Sequence, residues 1–139
     1  MNTKKITFLL LIFSIIGFGV GYILTNSLTF GFCSHDQYSC RELLNNIGDP
    51  LFYGMPALAL VFLILAFLPQ AFTAWKKFAI WFIPLATLLF IFYPNPGSGD
   101  YFSPYPEQVF RWVSILYVVV SVAIIAVSLK NKKQSNLVQ

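Results

Sequence analysis

The residues best equipped for chemistry lie in one short stretch, Cys33-Ser-His-Asp-Gln-Tyr-Ser-Cys40. It holds both of the chain's cysteines and its single histidine. Three chemistries are open to it. Two thiols separated by six residues form a disulfide in an oxidising compartment. Closing so short a loop stabilises a fold by roughly 2.5 kcal/mol in the chain-entropy description. Cys33, His35, Asp36 and Cys40 are also zinc or copper ligand types, but their spacing matches no common zinc pattern, and no metal is assigned to them. A redox role would need a thiolate-prone cysteine and a second station to receive the electrons. The expectation is therefore a structural Cys33–Cys40 disulfide.

Other titratable groups are few. Asp49 stands in Gly48-Asp49-Pro50, where an N-cap followed by a first-turn proline accounts for it, with Gly48 ending whatever precedes. Residues 41–47 (RELLNNI) read as a short amphipathic turn at a membrane surface. No acid, base or histidine falls in the middle of an apolar run. Proton-coupled or ion-coupled transport depends on such buried charges, so its usual equipment is missing. The reading leans away from an enzyme and assigns no catalytic residue and no cofactor.

The elements that must carry these residues follow from composition. The 139 residues are 10% charged and 58% hydrophobic, with a mean hydropathy of +0.72. A soluble domain carries about a quarter charged residues, and a chain this short cannot bury so much apolar surface in its own core. Four apolar runs absorb it: residues 6–24, 51–68, 78–93 and 109–129. A bilayer core of about 30 Å takes roughly 20 helical residues. The third run is short, and it reaches that length by borrowing Trp75 and the stems of Lys76 and Lys77. The runs are apolar all round, whereas strands of a membrane barrel would alternate. The expected fold is an all-α integral membrane protein, one membrane domain with four transmembrane helices in an up-down bundle.

The charges orient that bundle. All seven lysines flank the runs at three places: Lys4 and Lys5, Lys76 and Lys77, and Lys130, Lys132 and Lys133. All five acids and Arg41 fall in the two remaining connections, and Arg111 lies in the first turn of the fourth run, on the same side. Basic flanks stay in the cytoplasm, which makes the lysines topology anchors and puts both termini inside. Residues 25–50 and 94–108 become outer loops, residues 69–77 a cytoplasmic loop, and residues 130–139 a polar, disordered tail. The first run, nineteen residues long, exceeds the roughly 7–15 of a signal-peptide core and is read as a retained helix. The expected location is the cell membrane, either a plasma membrane or a bacterial inner membrane.

Small residues mark where helices touch. Gly17 and Gly21 form a G-x-x-x-G spacing that lets two backbones approach, within the chain or between copies. Ser114, Ser121 and Ser128 repeat every seven residues with Tyr117 on the same face, as a left-handed helix contact requires. Pro56 falls early in the second run, and Pro84 falls deep enough in the third to kink it. The loop at 94–108 has four prolines and two glycines, which forbid regular structure. With Tyr93, Tyr101, Phe102, Tyr105 and Trp112 it reads as an interfacial cap, or more sharply as a recognition surface.

The layout of four helices with both ends inside resembles that of four-helix membrane thiol oxidases. Those enzymes use two cysteine pairs, one in each outer loop, one of them a tight C-x-x-C. This chain has one wider pair, so no role is carried over. The expected function is a non-enzymatic structural or interaction subunit with a disulfide-stapled outer loop. An oligomeric pore or small-solute transporter, and a thiol-disulfide redox protein using the single pair, are the alternatives. The expected surroundings are the lipid bilayer and either a second copy or another membrane protein, with no nucleic acid.

Overall fold

The computed structural model describes residues 3–93 and 105–135, without the side chains of 133 and 135. Among the described residues there are four α-helices, one 3-10 turn and no strands. The helices are α1 (Thr3–Thr25), α2 (Tyr38–Phe67), α3 (Phe72–Phe92) and α4 (Pro106–Ser135). The 3-10 turn, Pro69–Ala71, joins α2 to α3. All four helices are long and apolar enough to cross a membrane.

Three boundaries differ by more than three residues from those read in the sequence, and α4 starts at Pro106, inside the stretch expected to be irregular. Residues 38–50 are not loop: α2 runs for 30 residues straight through Gly48, Asp49 and Pro50. Asp49 is thus a mid-helix residue, and the N-cap position belongs to Gln37. The glycine persists inside the helix because its bare backbone meets α1. A Cβ on Gly48 would stand 2.9 Å from the Leu24 Cβ and 3.0 Å from the Thr25 nitrogen. Tertiary contact overrides the local stop signal here. At about 45 Å, α2 outreaches a bilayer core of about 30 Å by roughly ten residues.

The third helix begins at Phe72, so Lys76 and Lys77 are helical and the connection shrinks to the 3-10 turn. Pro84 lies inside α3, which remains one continuous helix. The segment 130–135, expected to be disordered, continues α4. Lysines are good helix formers, and cations suit a helix C-terminus, so the charged end prolongs the helix. Residues 94–104, which include Tyr101 and Phe102, and residues 136–139 lie outside the described part.

α2 is the central helix, packed on α1 along one side and on α4 along the other, while α3 packs mainly on α4. The α1–α2 seam has a clear register. Gly17 faces Met55, Gly21 faces Leu51 and Phe52, and Leu24 and Thr25 face Gly48, so numbers rise on α1 as they fall on α2. The buried face of α1 is Thr7, Ser14 and Gly21, one small residue per heptad. Thr7 and Ser14 donate to the carbonyls four residues back, Thr3 and Leu10, at 3.0 and 2.8 Å. Their hydroxyls are satisfied within α1, which leaves the seam to van der Waals packing. Much of the rest of α1, including Phe8, Phe13 and Ile16, faces outward, while Leu10 and Leu11 pack against the core.

The core sits where α2, α3 and α4 converge around Trp75. Val61 and Leu65 are fully buried beside Phe62, Ala71, Ala79, Tyr117 and Ile125. Phe62 meets Trp75 edge-on at 5.4 Å. The Trp75 indole nitrogen donates to the Ser121 hydroxyl at 3.3 Å, tying α3 to α4.

Candidate functional site

The disulfide closes one end of the molecule. Cys33 and Cys40 are bonded, with their Cα atoms 6.0 Å apart. Both sulfurs are therefore spent on each other, and neither is a thiolate ligand. His35 and Asp36 are exposed beside them. Among the described residues, no three His, Cys, Asp or Glu side chains come together to hold a metal ion.

The link from α1 to the disulfide turns back on itself. The Asn26 side-chain amide donates to the Tyr22 carbonyl at 2.9 Å, and the Phe32 amide donates to the Ser27 carbonyl at 2.9 Å. Gly31, with φ of +73°, makes the one left-handed step among the described residues. A side chain at that dihedral would strain the backbone. The segment holds Phe30, Phe32 and Tyr38 well exposed, at 49%, 60% and 67%. The Arg41 guanidinium lies 5.9 Å from the centre of the Tyr38 ring, within cation–π reach.

Beside the disulfide, α2 and α4 frame a polar recess. Arg41, Glu42, Asn45 and Asp49 line it from α2, and Tyr105 and Glu107 from the start of α4. Asp49 and Glu107 are near enough to repel electrostatically. The buried Asn45 Oδ1 has no hydrogen-bond partner. Phe90 and Ile91 of α3 line this recess and also a second cavity of about 220 Å³ deeper in the bundle. That cavity opens between α2, α3 and α4 because α2 and α3 touch little beyond their connecting turn. Gly54, Ala57 and Ala86 leave the space, and its other walls include Met55, Phe82 and Val113. Ser114 and Tyr117 contribute hydroxyls. The Ser114 Oγ and the Tyr117 hydroxyl are both buried without a hydrogen-bond partner among the described residues.

The residues singled out in the sequence separate into three places. Gly17 and Gly21 are at the α1–α2 seam. Ser114 is at the cavity, Ser121 is bonded to Trp75, and Ser128 is half-buried further along α4. Lys4, Lys5, Lys76, Lys77, Lys130 and Lys132 are exposed, and the Lys133 side chain is outside the described part. What the sequence reading missed is the gathering of Asn45, Asp49 and Glu107. The cue was masked: local rules assign Asp49 to a cap, although two asparagines stand one turn before it.

Four long apolar helices around a core that holds Phe62, Trp75 and Tyr117 give the chain the build of a protein able to cross a membrane four times. Comparison with protein-family models, curated proteins and solved structures finds no match to the chain.

Proposed function

We propose that the protein is a non-enzymatic subunit of the cell membrane, an up-down bundle with both termini in the cytoplasm. It presents its disulfide-stapled segment outside, for a membrane partner or a second copy to grip. The observation that carries this reading is the aromatic rim of Phe30, Phe32 and Tyr38 on a segment tied down by Cys33–Cys40. Exposed aromatics backed by arginine are the side chains that dominate binding energy at interfaces. A staple lowers the ordering cost of using them. The G-x-x-x-G pair is occupied by α2 within the chain, which moves the expected contact away from Gly17 and Gly21 toward this rim. A solute path draws less support, because the cavity between the helices is lined mostly by apolar side chains. A thiol relay draws less support as well, since the chain has a single cysteine pair.

The test is photo-crosslinking from position 32 in intact cells, with mass measurement of the complex after extraction in mild detergent. A defined adduct that disappears in a Phe30→Ala/Phe32→Ala/Tyr38→Ala variant is the expected result. A monomer with no adduct in the native membrane would sink the proposal.

A further inference from the structure

The polar recess and the apolar cavity adjoin, with Phe90 and Ile91 in the lining of both. Their sizes and linings differ in a way that describes an occupant. An apolar cavity of about 150 Å³ is enough for benzene, and whole-ligand pockets run from about 300 to 1,000 Å³. At about 220 Å³ the inner cavity holds a stretch of hydrocarbon chain rather than a complete ligand. The recess, at about 850 Å³, has the room for a head group. Its charged lining is one guanidinium, Arg41, against three carboxylates, Glu42, Asp49 and Glu107. The balance, 1 − 3 = −2, disfavours an anionic head and favours one that carries a cation, while Arg41 still has an anion to meet.

We propose that these two adjoining spaces hold one zwitterionic aminophospholipid of the surrounding bilayer, with its ammonium at Asp49 and Glu107, its phosphate at Arg41, and part of one acyl chain in the cavity. The recess shares Tyr38 and Arg41 with the aromatic rim, but a lipid would be retained whether or not a protein partner exists.

The experiment is native mass spectrometry of the full-length protein after reconstitution with equal amounts of phosphatidylethanolamine and phosphatidylglycerol. One phosphatidylethanolamine per chain is expected, retained at least fivefold over phosphatidylglycerol. A Gly54→Leu/Ala86→Leu variant should fill the cavity and lower retention to background. A Cβ at position 54 meets only the Phe90 ring at 3.6 Å, an ordinary contact. The isosteric Asp49→Asn/Glu107→Gln variant, which leaves the packing untouched, should bring the preference down to near one. Equal retention of the two lipids by the natural protein overturns the proposal. So does a preference unchanged by the Asn/Gln variant, or retention by a folded cavity-filled variant. Retention of free dodecylamine without phosphatidylethanolamine would show a free amphiphile as the ligand and overturn the lipid as well.

Discussion

Gly21 of α1 lies against the backbone of Phe52 in α2, so close that a Cβ on Gly21 would stand 2.6 Å from the Phe52 nitrogen. The obstacle is main chain, which cannot rotate aside. One helical turn earlier, the neighbour of Gly17 is the Met55 side chain, whose atoms come to 2.9 Å of a Cβ there and can move. Gly19 has nothing within 4 Å. The three glycines of α1 thus grade a single helix from rigid contact to open surface.

That grading predicts an order of stability. Gly21→Val forces α1 from α2 and should destabilise by about 1–3 kcal/mol, the range for overpacking. Gly17→Ala should cost less, because Met55 is flexible. Gly19→Ala should be neutral or slightly stabilising, since alanine is the better helix former. Thermal melts in detergent check the order; a Gly19 variant as damaging as the Gly21 variant would contradict the seam.

Replacing Cys33 and Cys40 by serine should lower stability by roughly 2–3 kcal/mol, as expected for a short closed loop. The helices should persist, since the core around Trp75 does not include the link. Circular dichroism for helix content and a melt for stability separate the two effects.

The pair Trp75–Ser121 predicts that packing outweighs hydrogen bonding. Ser121→Ala removes one hydrogen bond between helices, worth about 0.6 kcal/mol in membrane proteins. Trp75→Ala also removes the ring that Phe62 and Phe72 pack on, and large aromatic deletions cost about 3–5 kcal/mol. Trp75→Phe should fall between them. Unfolding in mixed micelles measures all three.

The orientation proposed from the lysines is checked with a membrane-impermeant maleimide on intact cells. Cys33 and Cys40 should stay unlabelled until a mild reductant is added and then react from outside. Labelling only after the membrane is opened would place the stapled segment in the cytoplasm and invert the bundle.

Much of the architecture is legible in the chain because transfer into lipid adds up residue by residue. Residues 6–24 and 109–129 need no neighbour to declare themselves, and α1 and α4 contain them. The start of α2 is harder. Gly48-Asp49-Pro50 carries every local sign of a helix boundary, and the structure runs through it because Leu24 and Thr25 occupy the space a side chain would need. Lys76 and Lys77 hide the first turns of α3 in the same way, since hydropathy counts their charge and not their helix-forming stems.

What the sequence determined by itself is the number of apolar segments, the distribution of charge at their ends and the cysteine pair, all properties of local chemistry. Only the tertiary structure decided which faces meet. A helix apolar on every side carries no pointer to its neighbour, and a small residue reads the same whether the helix beside it belongs to this chain or to another. Placing α1 on α2 assigned Gly17 and Gly21 to the inside. Holding α3 off α2 opened the cavity beside Ser114, and running α2 unbroken through residues 38–50 brought Asn45 and Asp49 to Glu107, more than fifty residues away along the chain.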